Sequence, residues 1–217
     1  HRNHYIICLV RTEAPSENRH AGFSQIIVDL KNDGAKVRPI RNMAGGEDFN
    51  EVVFDNVLVP KDRIVGEPGN GWQQVTSELA YERSGPERFL SSFRVFVELV
   101  RICGDDPSPH QAAAIGRIAA HFMTLRRMSL SVAGMLEAGK DVSVEAALVK
   151  ELGNNFEKLL PEIARLVVPD LSAVDPDKQR LFRETFEETL MLSPSFTLRG
   201  GTREIMRGVI ARGLGLR

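Results

Sequence analysis

A chain of 217 residues, 42% hydrophobic and 26% charged, is long enough to bury a real core in one large or two small domains and too apolar to be disordered. Its 28 lysines and arginines nearly balance 29 aspartates and glutamates, which excludes a global field favouring nucleic acid or an anionic membrane. Two distant cysteines, Cys8 and Cys103, match no ligand spacing and five histidines form no metal-binding pair, so neither a disulfide framework nor a metal site is expected.

No apolar run approaches the ~20 residues of a membrane span and no signal peptide opens the sequence, so the reading is a cytoplasmic protein with no membrane partner. The chain enters a strand-like run, YIICLV (5–10), almost at once and without an initiator methionine, as a piece of a longer protein would. After a polar loop comes FSQIIVDL (23–30), then the turn Lys31-Asn32-Asp33-Gly34 and AKVRPI (35–40), a hairpin signal. FNEVVFDNVLVP (49–60) reads as a further strand with a bend at Asp55-Asn56 and a stop at Pro60.

Beyond Glu67-Pro68-Gly69 the hydrophobic period changes from two to near 3.6 and stays there. Trp72, Val75, Leu79, Leu90, Phe93, Val97 and Val100 fall on one stripe, which predicts a long helix from about 69 to 100. A second helix is expected over 109–138, with Ile115, Ile118, Phe122, Leu125, Val132 and Leu136 inward. A third, over 144–168, is expected to bury Ala147, Leu148, Leu152, Asn155, Leu159, Ile163 and Leu166 and to kink at Pro161. A fourth spans 177–192, and a last begins at Thr202 and buries Ile205, Met206, Val209 and Ile210. Strands followed by five helices without alternation predict an α+β chain: a partial antiparallel β domain over 1–66, then an antiparallel α-helical bundle over 67–217.

One carboxylate stands out. Glu82, three residues after Leu79, falls on the apolar stripe of the first helix, where a lone charge is costly unless it is paired or held neutral. It is a candidate base; pairing with Arg83 or Arg88, or a place at the stripe's wet edge, explains it equally well from spacing alone.

Three stretches in order, VVFDNVLVPKDRIVGEPGNGW (52–72), LAYERSGPER (79–88) and LRGGTREIMRGVIARGLGL (198–216), resemble the acyl-CoA dehydrogenase family. They are similar to its exit from the middle β domain, its first bundle helix and its final helix. The resemblance implies FAD as cofactor, an acyl-CoA thioester as substrate, electron-transferring flavoprotein as acceptor, and a homo- or hetero-oligomer assembled through the helical bundle. It also implies the chemistry: a carboxylate takes a proton from Cα while hydride leaves Cβ for the flavin.

In most members the base precedes the final helix, where this chain has Gly200 after Arg199; a minority, isovaleryl-CoA dehydrogenase among them, carries a glutamate before an arginine on the first bundle helix. Glu82-Arg83 matches that pattern, with Arg83 then near the CoA moiety or simply paired with an acidic neighbour, and Glu87 the alternative base. By the same resemblance Thr202 and Glu204 touch FAD, although Thr202 is equally a helix cap, and Arg101 is the equivalent of a loop arginine that reaches a neighbour's FAD. Asp105-Asp106 after that arginine, and PDLSAVDPDKQ where a Gly-Gly segment is expected, depart from the family and leave open a non-catalytic subunit that scaffolds an active partner.

Overall fold

The computed structural model describes residues 1–216, which fall into two compact units, the first His1–Leu79 and the second from Ala80 onward. In the first, β1 (Tyr5–Arg11) pairs antiparallel with β2 (Phe23–Asp29) from Tyr5 opposite Asp29 to Arg11 opposite Phe23. The two-residue β5 (Ile64–Val65) takes the other edge of β2 at Gln25 and Ile26. β3 (Ala35–Ile40) and β4 (Phe49–Phe54) form a separate antiparallel pair.

The hairpin expected between the second and third runs is therefore not made. Both edges of β2 are already taken, and β3 pairs forward with β4, whose end is closed by the Asp55 N–H on the Gly34 carbonyl. The strand expected to reach Pro60 stops at Phe54, because Asn56 takes a left-handed φ of 51° and turns the chain out of the ladder. β2 also seats the start of the first helix. Buried Ser24 bonds Thr12 and the Gly69 N–H, and a Cβ on Gly71 would meet Ser24 Cα at 2.8 Å, so only glycine fits there.

Among the described residues six helices follow: α1 (Gly71–Ser84), α2 (Phe93–Cys103), α3 (Pro109–Glu137), α4 (Ser143–Val167), α5 (Pro176–Leu192) and α6 (Arg203–Gly213). The expected 69–100 helix is two helices. Gly85 is extended (φ −63°, ψ 156°) and Pro86, with no N–H to give, starts a 3-10 turn over Pro86–Arg88 instead. Rotated by that break, α2 buries Val95, Leu99 and Ile102 and exposes Phe93 and Val100 from the expected stripe; Trp72 and Leu90 are exposed too.

The bundle core is built from those α2 residues, from Ile118, Phe122 and Leu125 of α3, from Val149, Phe156 and Leu160 of α4 and from Phe182 of α5. A capping box between Ser108 and Gln111 starts α3, and Gly139 ends it with a φ of 69°.

α4 departs most from expectation. It runs through Pro161 to Val167, yet Leu152, Leu159 and Leu166 are exposed, while its inward face carries Ala146, Val149, Lys150, Asn154, Glu157 and Leu160. In α6 only Met206 is fully buried and Ile205 is exposed, contrary to the four-residue stripe expected.

Candidate active site

Glu82 lies in the last turn of α1, just before the Gly85-Pro86 break folds the chain back on it. Arg88, from the 3-10 turn, uses both ends of its guanidinium there. Its Nη2 donates to Glu82 Oε1 at 2.7 Å and its Nε donates to the Glu82 carbonyl at 2.8 Å. The Arg88 side chain is 5% exposed and that of Glu82 40%, so the cation is buried and the carboxylate open on one side. The apolar surroundings expected of Glu82 are thus replaced by ionic ones. Its pairing is with Arg88, while Glu87 stands 3.7 Å from the same nitrogen with half its side chain in solvent.

Arg83, half-buried, points its Nε at the Gly200 carbonyl, 3.2 Å away. Burial, partly offset by the Glu82 charge, lowers its guanidinium pKa. This bond ties α1 to the chain entering α6. Gly200 itself has a φ of 70°, and a Cβ built on it would stand 2.8 Å from Glu82 Oε1 and 3.4 Å from Lys150 Cε. The volume that a side chain at position 200 would need is filled by the Glu82 carboxylate, so a side chain there would have to push that carboxylate aside.

Sequence reasoning missed the buried charges behind Glu82. Lys150 of α4 is fully buried. With the Asn154 amide turned so that its nitrogen donates to the Phe196 carbonyl (3.1 Å), its oxygen accepts from Lys150 Nζ at 2.7 Å. Burial, then the positive charges of Arg88, Arg199 and Arg83, push the Lys150 ammonium down from 10.5 to about 8 against the pull of Glu82. Two turns on, fully buried Glu157 accepts the Ser91 N–H at 2.7 Å and Arg199 Nη2 at 3.1 Å. Burial raises its carboxyl above the usual range even with those partners. The signal was present as Lys150, Asn154 and Glu157 at helical spacing, but a leucine stripe two positions away hid it.

The other expected site residues lie elsewhere. Arg101 donates to Glu98 at 2.6 Å, one turn back on α2, and among the described residues no bond links it to the Glu82 cluster. Thr202 occupies the N-cap position of α6 with extended backbone, yet its hydroxyl accepts no capping bond from that helix. Glu204 is exposed, its carboxyl held low first by its own N–H and then by the Thr202 hydroxyl. Arg203 and Arg207, one turn apart on α6, both donate to Glu151 of α4 at 3.1 Å. α6 is thereby clamped to α4 with its first-turn N–H groups at the end nearest Gly200.

The arrangement can present one carboxylate, bonded to a buried arginine, at the edge of a cationic cluster. In the same unit, Pro86, Phe89, Leu90, Phe93, Phe122 and Leu130 help line an apolar cavity of about 450 Å³ beside the helix break. Among the described residues there is no group of metal-ligating side chains, and no helix is long and apolar enough to cross a membrane.

No family model matches the chain. Acyl-CoA dehydrogenase IpdE1 of Mycobacterium tuberculosis is 33% identical over 228 residues, covering 100% of this chain and 56% of the relative. Among solved structures, the Tcur3481-Tcur3483 steroid ACAD superposes with a TM-score of 0.79 at 22% identity, covering 100% of this chain and 57% of that one. The ChsE4-ChsE5 complex from Mycobacterium tuberculosis gives 0.75 at 24% identity, covering 99% and 57%. The chain spans little more than half the length of each of these three proteins.

Proposed function

The chain belongs along its whole length with the acyl-CoA dehydrogenases, and from that premise we propose that it carries the proton-abstracting side of a flavin-dependent α,β-dehydrogenation of an acyl-CoA thioester, with Glu82 as the base. The observation that carries this reading is the Glu82–Gly200 relationship: the carboxylate from α1 occupies the volume a side chain before α6 would need. Arg88 orients the Glu82 carboxylate through a 2.7 Å bond to one oxygen, and the free side of the carboxylate is where Cα–H would approach. The C–H electron pair stays with Cα, drawn toward the polarised thioester carbonyl. Arg83, tethered to the Gly200 carbonyl, fixes the glycine turn against which Glu82 rests.

FAD, when bound, supplies the acceptor for the hydride from Cβ, and electron-transferring flavoprotein is its proposed oxidant. The N-terminus of α6 is the proposed seat of a polar nucleotide group, through the Arg203 N–H and the Thr202 hydroxyl, the latter having first to leave the Glu204 carboxylate that it and the Glu204 N–H hold.

The full-length protein tests this with a panel of acyl-CoA thioesters, read both by reduction of a dye and by exchange of the substrate α-hydrogen in D2O. Glu82→Gln is expected to lower both by about 10²–10⁴-fold; turnover equal to wild type ends the reading. The 2.7 Å Arg88 bond favours a second reading, a silent subunit in which Glu82 is structural. That reading predicts no exchange by the wild-type chain and a colourless preparation unless a partner chain is co-expressed.

A further inference from the structure

We propose that Glu157, the fully buried carboxylate of α4, is a positioning residue for Glu82 and acts on it by holding both segments that confine it. The inference rests on Glu82 being the base. One segment is the turn after Gly85, from which Arg88 donates to Glu82 Oε1 at 2.7 Å. The other is the stretch before α6, where the Cβ position of Gly200 stands 2.8 Å from the same oxygen. Glu157 binds a close neighbour in each. Its Oε1 accepts the N–H of Ser91, three residues after Arg88, at 2.7 Å, and its Oε2 accepts Nη2 of Arg199, the residue before Gly200, at 3.1 Å.

These three groups close a ring, because Arg199 Nη1 also donates to Ser91 Oγ at 3.0 Å. The Ser91 hydroxyl in turn donates to the Glu87 carbonyl at 3.0 Å, which ties the ring into the turn that carries Arg88. α4 receives that turn a second time, one helical turn before Glu157. There Gly153 lies so close to the Arg88 carbonyl that an added Cβ would collide with it. Glu82 therefore rests between two walls that are both fastened to α4.

A buried carboxylate is costly, and glutamine would fill the same space without a charge. What the carboxylate adds is two acceptor oxygens on one rigid plane, so that a donor from each wall is bound at once. Glutamine has one acceptor oxygen and presents an NH2 group to the second donor. The Ser91 N–H belongs to the backbone and stays, whereas Arg199, a third exposed, can turn to water. Glu157→Gln is thus expected to keep the fold and release the wall at Gly200.

In the full-length protein, α-hydrogen exchange in D2O is read with the thioester that wild type exchanges fastest. Glu157→Gln is expected to lower the maximal rate per folded chain by about 10–100-fold while KM stays within about twofold. Arg199→Met breaks the same link from its other end, so it should fall in the same range, and the double variant should lose no more than the slower single one. Wild-type rates in Glu157→Gln, or losses that multiply in the double variant, overturn the proposal. A carboxylate that only steadies the fold would lower the denaturation midpoint and leave the rate per folded chain unchanged, which overturns it as well.

Crystal structures of wild type and Glu157→Gln read the geometry without turnover. The Gly200 turn and the Glu82 carboxylate are expected to shift by about 1 Å in the variant, the scale of misplacement that costs rate. A carboxylate left in its wild-type place overturns the positioning itself. If the carboxylate moves but the wild-type protein exchanges no α-hydrogen at any pH, the proposal falls through its premise, the base, and not through Glu157.

Discussion

Glu82 and Gly200, 118 positions apart in the chain, share one volume: the carboxylate of the first lies 2.8 Å from where a Cβ of the second would stand. Gly200→Ala is therefore expected to act twice. Alanine at a φ of 70° carries about 1–2 kcal/mol of backbone strain, and its methyl group displaces the carboxylate. Chemical denaturation should show that destabilisation, and α-hydrogen exchange should fall by about 10²-fold from misplacement alone. Wild-type exchange in Gly200→Ala would show that the carboxylate's position at the turn is irrelevant to the reaction.

Arg88 is the partner on which Glu82 depends. Arg88→Met removes a buried cation that bonds both the side chain and the carbonyl of Glu82. The carboxylate left behind is 40% exposed and can turn to water, so the stability loss is placed at about 1–3 kcal/mol, below that of a fully buried broken pair. Activity should fall with it, while the double variant Arg88→Met with Glu82→Gln should recover part of the stability in a double-mutant cycle.

The order of strands before helices and the helix-rich second unit were legible in the sequence because period changes and glycine-proline punctuation report backbone directly. What stayed hidden followed from two physical effects. Pro86 broke a stripe that Leu90, Phe93 and Val100 continue in phase, so periodicity read one helix where the backbone makes two. In α4 the inward face carries Lys150, Asn154 and Glu157, whose partners Phe196 and Arg199 lie more than forty residues away, so hydrophobicity chose the exposed Leu152, Leu159 and Leu166 instead. The two strands flanking Lys31–Gly34 misled for a related reason, since a turn signal says where the chain bends and not which edge is free.

Stability should depend on Lys150 with a definite sign. Its ammonium is pushed from 10.5 to about 8 by folding, so between those values the unfolded chain binds more protons and stability rises with pH. Below pH 8 the full penalty stands, roughly 3 kcal/mol from the shift as an upper bound. Lys150→Met should thus be more stable than wild type at pH 7, by about 1–3 kcal/mol once the lost Asn154 bond is counted, and the gain should shrink toward pH 10.5. Urea midpoints across that range check the slope.

Glu157 gives the opposite dependence. Burial raises its carboxyl above 4.5, and Arg199 and the Ser91 donors hold that rise in check. Its folded value lies above its unfolded one, so its charged form weighs on the fold as pH climbs through the folded value and the weight is absent below 4.5. Arg199→Met should deepen that loss by about 1–3 kcal/mol at pH 8, discounted because a third of the Arg199 side chain meets solvent, and by less at pH 5. An equal loss at both values would mean that Arg199 acts through its stacking on Phe196, whose ring centre is 4.6 Å away, and not through the buried carboxylate.

Thr202 separates a helix cap from a cofactor ligand. A threonine that caps contributes about 1 kcal/mol through a bond to the first-turn N–H groups, and here that bond is not made. Thr202→Ala should therefore leave the denaturation midpoint of the full-length protein within about 0.5 kcal/mol of wild type, the ordinary range for a side chain with no such bond. If the Thr202 hydroxyl receives part of a flavin nucleotide, the same substitution should weaken retention of FAD several-fold, read as flavin absorbance per chain after gel filtration at a fixed free concentration. Stability and flavin lost together would restore the cap as the explanation. Flavin lost alone assigns Thr202 to the cofactor, and the exposed Glu204, held by the Thr202 hydroxyl, would then be freed in the variant and titrate closer to an ordinary carboxylate.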